Sequence, residues 1–325
     1  EKEIYEQKNL RNIVTTPNLS SIKYLKNALC HGRNVVLTAA GTSYHAAYVM
    51  HHELLKAGIM STVIVASELH NYRKVISDSI IVVFTQSGET ADLIYPLREL
   101  RDSNEIFTIT NTANSTLARF ASRLVMLNCG REVSVASTKA FTAQVFVSHL
   151  LSYELAGKNI LDNLSSYEND FDNVIESCSD VLDEICDKFE SARDVFFIGR
   201  NQFHPFALEG SLKLKEVSYI HAEGFAGGEL KHGTLALITN DVPVVVLGNC
   251  DEIVSNAIEV KTRGGVLIGI GSRPNDVFNY FIEVPKNFEE ILGTVVMQLF
   301  ALKMTQKLGL NPDKPRNLAK SVTVK

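Results

Sequence analysis

DVFFIG, residues 194–199, is a run of β-branched and aromatic side chains that predicts a buried strand. A turn follows it, and a helical pattern of about four turns begins near Pro205. The same order of strand, turn and helix occurs earlier in the chain, where residues 34–39 read NVVLTA. Continuous apolar strands that alternate with helices are typical of a parallel sheet covered on both faces.

Further strands recur in the same order in both halves of the chain. IIVVFT (80–85) corresponds to PVVVLG (243–248), and 105–111 corresponds to 265–271, at an offset of about 160 residues. This repetition predicts an α/β protein with two doubly wound, flavodoxin-like parallel-sheet subdomains related by internal duplication, followed by a C-terminal tail. A ligand is expected at the carboxyl ends of the strands.

Four parts are expected along the chain: an N-terminal segment over 1–20, subdomains over 21–165 and 166–305, and a tail over 306–325. The polar stretch NLSSYENDFD (163–172) predicts the linker, and a helix is expected from about Phe171 to Ser191. The last stretch contains Pro312 and Pro315 and no helical period, which predicts a frayed end.

Composition excludes several classes of protein. The 325 residues carry a net charge of −5 without a basic patch, which argues against a nucleic-acid partner. No apolar run approaches the ~20 residues of a membrane span. The five scattered cysteines are typical of reduced, mostly buried thiols in a cytoplasmic protein. The chain starts at Glu1 and not at methionine, which is consistent with a piece of a longer protein.

The predicted strand over 80–85 ends in a hydroxyl-rich turn, TQSGET (85–90), and a helical pattern follows the turn. A helix N-terminus with neighbouring hydroxyls binds anions, and Gly41-Thr42-Ser43 repeats the arrangement after the preceding strand. Ordinary helix capping is the alternative. In the second half Asp251 falls opposite Gly88 and would repel an anion, so only the first half is expected to bind phosphate. Neither turn contains Lys or Arg, and no nucleotide-binding P-loop is present, which favours a phosphomonoester such as a sugar phosphate.

The stretch EGSLKLKEVSYIHAEGFAGGELKHG (209–233) is dense in groups that can transfer protons. Glu209, Lys213 and Glu216 share one helical face, and a glycine-rich loop with His221 to His232 is expected to follow. A solvated helix with one favourable Glu–Lys pair is the alternative.

Several motifs together resemble those of a known family. They are QSGET (86–90), VASTKAFT (135–142), EGSLKLKE (209–216), HAEGFAGGELKHG (221–233) and PRNLAKSV (315–322). With these motifs the whole chain resembles the isomerase portion of the glutamine–fructose-6-phosphate aminotransferases, which consists of two sugar isomerase (SIS) domains. Two positions depart from the family pattern: Thr85 replaces a serine and keeps its hydroxyl, and Thr234 replaces a proline.

The resemblance implies a role for each matched residue. The phosphate would be bound by Ser43, Thr85, Gln86, Ser87 and Thr90. The sugar hydroxyls would contact Val135, through its backbone, and Ser137. Lys320 would form a Schiff base with the keto carbon, Glu216 would carry a proton between C1 and C2, His232 of a neighbouring subunit would assist ring opening, and Lys213 would support the charge changes.

The activity implied is conversion of fructose 6-phosphate and ammonia to glucosamine 6-phosphate, without a metal or organic cofactor. Ammonia would come from glutamine through a glutaminase domain that these residues lack, and a homodimer is expected. Two alternatives stay open: a glucosamine-6-phosphate deaminase of the SIS type, and a regulator that binds sugar phosphate without turnover.

Overall fold

The computed structural model describes residues 1–160 and 164–320, which form two compact units. Within those ranges, the first unit contains residues 9–133, 137–160, 164–165 and 319–320, and the second contains 1–8, 134–136 and 166–318. The boundaries differ from the expected ones because residues 1–8 and 134–136 group with the second half of the sequence.

The first unit contains a five-stranded parallel sheet in the order β2-β1-β3-β4-β5. Its strands are β1 (Val35–Ala39), β2 (Thr62–Val65), β3 (Ile80–Phe84), β4 (Glu105–Thr110) and β5 (Arg123–Met126). Its helices are α2 (Leu10–Leu29), α3 (Thr42–Lys56), α4 (Ala91–Leu100), α5 (Thr116–Phe120) and α6 (Lys139–Leu155). The strands β1 and β3 are buried along their whole length, as their continuous apolar sequences predict.

The second unit repeats this topology. Its strands are β6 (Asp194–Gly199), β7 (His221–Ala226), β8 (Pro243–Leu247), β9 (Val266–Gly271) and β10 (Tyr280–Glu283), in the order β10-β9-β8-β6-β7. Its helices are α1 (Lys2–Tyr5), α7 (Tyr167–Lys188), α8 (His204–Ser218), α9 (Asp251–Lys261) and α10 (Glu289–Lys307). In both units the first strand lies between the second and the third, all parallel, so the duplicated α/β fold is confirmed.

The prediction of a loop directly after the helix at 204–218 was wrong. Residues 221–226 form the edge strand β7, paired in parallel with β6. A side chain at Gly224 would overlap the backbone of Ala207 and Leu208, so the glycine allows the strand to approach α8 closely. The loop begins only at Gly227, where a 3-10 helix runs to His232.

The predicted linker is shorter than expected. Helix α7 begins at Tyr167 and ends at Lys188, so most of the polar stretch 163–172 is helical. The cause is Tyr167, a fully buried side chain whose ring lies edge-on to that of Phe288, with centroids 5.1 Å apart. Burial of this aromatic side chain fixes the first turn of the helix. Asn163 lies outside the described residues.

The N-terminal boundary and the described part of the C-terminal tail also differ from the prediction. Helix α2 runs through the expected boundary at residue 20, and α10 continues to Lys307. Beyond it, the carbonyl of Asp313 accepts a hydrogen bond from the N–H of Val135 (3.3 Å). The N–H of Arg316 donates to the Tyr219 hydroxyl (2.8 Å), and its guanidinium carbon lies 4.2 Å from the centre of that ring. The described part of the tail is therefore attached and not frayed.

The five cysteines are free thiols, and three of them are buried. Burial raises the pKa of Cys129 and Cys186 to about 12 and that of Cys178 to about 11. Within the described ranges, every helix is too short or too polar to span a bilayer.

Candidate active site

The expected phosphate-binding turn lies at the carboxyl edge of the first unit's sheet. Strands β1 and β3 are parallel neighbours, so the segments that follow them leave the same edge. Ser43 lies in the first turn of α3, and Thr90 is the residue that precedes α4. The hydroxyl of Ser43 accepts a hydrogen bond from the side-chain amide of Gln144 (2.9 Å).

Hydroxyl groups order the turn between β3 and α4. Thr85 Oγ1 accepts from the N–H of Gly88 (3.1 Å), and Ser87 Oγ accepts from the N–H of Glu89 (3.2 Å). Gly88 has a positive φ of 70°, which closes the turn. A hydroxyl that accepts a hydrogen bond from the backbone is still a donor by its chemistry, which is the property that the predicted anion site requires.

A cleft of about 440 Å³ lies beside this turn. Its lining residues are Gln86, Asn111, Thr112, Asn128, Gly130, Arg131 and Glu132. The carbonyl of Gln86 accepts from the N–H of Asn111 (3.1 Å), which fixes the residue at the edge of the cleft. Arg131 adds a positive charge to this lining; it lies in the loop after β5, outside both hydroxyl-rich turns, so its place along the chain carried no signal of this role.

Gly88→Ala should disable the turn. A methyl group there would overlap the Ser115 hydroxyl, and a positive φ costs an alanine about 1–3 kcal/mol. We expect the rise in melting temperature with added inorganic phosphate to be lost. Gly157→Ala is the matched control, because Gly157 has φ 68° and open space around it. A phosphate response of Gly88→Ala equal to that of the control would contradict the assignment.

Ser137 and Lys320 are brought together by Glu132, a residue outside the motifs named above. Glu132 Oε2 accepts from the Ser137 hydroxyl (2.9 Å) and from Lys320 Nζ (2.6 Å). The Glu132 side chain is fully buried, whereas that of Lys320 is 25% exposed. Lys320 is therefore held by an ion pair and is not the ordinary solvated lysine that its place in the tail suggests.

In the second unit, α8 presents the predicted row of charged groups. Lys213 Nζ lies 2.6 Å from Glu216 Oε2 and 3.4 Å from Glu209 Oε1. Burial alone would lower the pKa of Lys213, but the two carboxylates outweigh it and hold this pKa above its usual value. Glu209 and Lys213 are buried, and only the Glu216 side chain is partly exposed, at 21%. The alternative of a solvated surface pair does not fit this burial.

The remaining predicted residues lie in looser surroundings. His232 is exposed at the end of the 3-10 helix, before Gly233 with φ 150°. Val135 is half-buried, and its N–H donates to the carbonyl of Asp313. Over residues 1–160 and 164–320, no group of three or more His, Cys, Asp or Glu side chains is arranged to hold a metal ion.

Both units match one family of domains. The family model described as SIS domain matches residues 28–152 and 188–305. Each matched range contains one of the two five-stranded sheets.

Similar sequences occur in longer enzymes. Over 99% of its length, the chain is 37% identical to the glutamine–fructose-6-phosphate aminotransferase (isomerizing) of Pyrococcus horikoshii and 38% identical to that of Clostridium acetobutylicum. The chain spans 57% and 58%, respectively, of the length of these relatives.

Solved structures are similar over nearly the whole chain. The C-terminal domain of glucosamine-fructose-6-phosphate aminotransferase from Francisella tularensis has a TM-score of 0.83 and 31% identity, with 97% of both chains covered. A glucosamine-6-phosphate deaminase from Thermotoga maritima has a TM-score of 0.80 and covers 99% of this chain and 98% of its own. At 21% identity, the second likeness concerns the fold alone.

Proposed function

The chain belongs to the SIS domain family, and from this premise we propose that it is the isomerase part of an enzyme that makes glucosamine 6-phosphate from fructose 6-phosphate and ammonia. Its relatives with 37% and 38% identity bear the name of that activity. The observation that carries the proposal is the group on α8, where the buried Lys213 lies between the buried Glu209 and the partly exposed carboxylate of Glu216. A module that only binds sugar phosphate needs no such group.

The phosphate binds first, at the hydroxyl-rich turn of the first unit. Thr85, Gln86, Ser87 and Thr90 surround it from the turn, and Ser43 donates from the start of α3. Hydroxyl donors and helix N-termini are suited to a phosphomonoester dianion. Val135 and Ser137 contact hydroxyl groups of the open-chain sugar.

Covalent chemistry begins at Lys320. Lys320 loses a proton, its neutral amine attacks the C2 carbonyl, and the resulting carbinolamine takes up one proton and loses water, which gives an iminium at C2. Ammonia then displaces Lys320 from C2 and leaves a ketimine. Glu216 removes a proton from C1 and returns it to C2, while the O1 hydroxyl proton passes to the nitrogen; this yields the C1 aldehyde and the C2 amine of glucosamine 6-phosphate. With the keto sugar itself, the same transfer gives glucose 6-phosphate.

Lys213 and His232 assist this transfer. The positive charge of Lys213 lies beside Glu216 and compensates the charge of that carboxylate when it is ionised. When Glu216 takes up the proton, Lys213 remains paired with Glu209. His232, contributed by a second subunit of a homodimer, assists ring opening. The glutaminase domain that supplies ammonia lies outside these residues, and the cysteine pattern favours a cytoplasmic location.

Assays with the 325-residue polypeptide test this proposal. We expect it to interconvert fructose 6-phosphate and glucose 6-phosphate, measured by a coupled dehydrogenase assay, and to form glucosamine 6-phosphate with ammonium but not with glutamine. A kcat/KM that favours ammonia release from glucosamine 6-phosphate would identify a deaminase instead. Sugar-phosphate binding without turnover would identify a regulator, and glutamine-dependent synthesis would contradict the assignment of the ammonia source.

A further inference from the structure

Glu132 is a buried carboxylate in the loop between β5 and α6, and it accepts four hydrogen bonds. Oε1 accepts from the N–H groups of Thr138 (2.9 Å) and Ala140 (3.1 Å), at the start of α6. Oε2 accepts from the Ser137 hydroxyl (2.9 Å) and from Lys320 Nζ (2.6 Å). The side chain has no solvent-exposed surface.

The two oxygens have different tasks. A buried carboxylate is costly unless it is paired and hydrogen-bonded, and here both conditions are met. Oε1 fixes the start of α6, where the helix dipole also favours negative charge. This leaves Oε2 held in place, facing the lysine and the serine to which the proposed function assigns covalent and sugar contacts.

We infer that Glu132 is the positioning residue of Lys320 and the charge partner of its covalent intermediate; this inference rests on the proposed function. It holds Nζ beside Ser137 before the sugar binds. Formation of the iminium from the ammonium and the C2 carbonyl releases one water and conserves one positive charge. The iminium nitrogen retains one N–H, which can donate to Oε2. Glu132 therefore pairs with the cation both before and after the covalent bond forms.

Glu132→Gln separates the two tasks. The amide oxygen can still accept from the backbone N–H groups of Thr138 and Ala140, so the start of α6 is preserved. The amide NH₂ then faces Lys320 Nζ, which loses its acceptor. Because a hydrogen bond between charged groups is typically worth a factor of about ten or more, we expect borohydride trapping of fructose 6-phosphate on Lys320 to slow at least about tenfold.

The same experiment includes a binding readout and two further variants. The dissociation constant of sorbitol 6-phosphate, which has no carbonyl, should change less than about twofold, because the hydrogen bonds described for Glu132 are made with residues outside the phosphate turn. Glu132→Asp keeps the charge and should recover part of the lost trapping rate. Glu53→Gln is the matched control, because Glu53 is also buried in the first unit and lies 2.8 Å from Lys56 Nζ; it should trap at the wild-type rate.

Amine labelling distinguishes failure of this inference from failure of the proposed function. Brief acetylation with acetic anhydride, without sugar and followed by peptide mapping, should modify Lys320 faster in Glu132→Gln than in the wild type. Equal labelling and equal trapping in these two proteins would overturn the role of Glu132. Suppose instead that Lys320 is acetylated faster in Glu132→Gln than in the wild type, but that the wild type forms no borohydride-trapped sugar adduct. This result would support the positioning of Lys320 by Glu132 and refute the proposed function.

Discussion

Lys320→Arg should reduce the ammonium-dependent formation of glucosamine 6-phosphate from fructose 6-phosphate by at least about a thousand-fold, because it removes the nucleophile of the covalent step. Arginine stays protonated at every usable pH, so its guanidinium can pair with Glu132 but cannot attack a carbonyl. The phosphate turn is untouched, and the affinity for fructose 6-phosphate should stay within a few-fold of the wild-type value. Steady-state kinetics and calorimetric titration measure the two quantities separately.

Lys303→Arg is the matched control for this substitution. Lys303 also lies 2.6 Å from a carboxylate, that of Asp183, and its side chain is 23% exposed, close to the 25% of Lys320. We expect wild-type turnover from this control. If Lys320→Arg retained more than about a tenth of the wild-type rate of glucosamine 6-phosphate formation, a Schiff base at this residue would be excluded.

Glu216→Gln should reduce turnover by a factor of about 10² to 10⁴, the usual contribution of a general base. The amide has the shape of the carboxylate but cannot take the C1 proton. Lys213 keeps Glu209 as a partner, so the helix should remain folded. Covalent trapping of the sugar on Lys320 should persist, because the iminium forms before Glu216 acts.

Deuterium exchange distinguishes this effect from a general loss of structure. In D₂O the wild type should exchange the C1 hydrogen of fructose 6-phosphate, and Glu216→Gln should not. Glu105→Gln is the control, because Glu105 has the same 21% side-chain exposure and lies 2.7 Å from Arg33. Exchange at the wild-type rate in Glu216→Gln would remove this residue from the proton transfer.

The central strands and the duplication could be predicted because burial on both faces leaves a continuous apolar sequence, as in IIVVF at 80–84. The edge strands could not be predicted from the sequence. The strands at 62–65 and 123–126 are short and only partly buried, so the pattern of apolar residues in their sequences is weak. At 221–226 the glycine and polar residues read as a loop, and only the close packing against α8 makes them a strand.

The charged row on α8 was predictable because helical spacing places 209, 213 and 216 on one face. Its burial was not, since the same spacing describes a solvated helix. Glu132 lies in a loop without any period, and its partner Lys320 is far away in sequence, so no local pattern could select it. The attachment of the tail likewise depends on Tyr219 and Asp313, which meet their partners only in the folded chain.

Borohydride reduction of the protein in the presence of fructose 6-phosphate, followed by peptide mapping, tests the Schiff base directly. The account predicts a single stoichiometric sugar-phosphate adduct on Lys320, which requires substrate and disappears in Lys320→Arg. An adduct on another lysine, or a full rate of glucosamine 6-phosphate synthesis without any adduct, would contradict it.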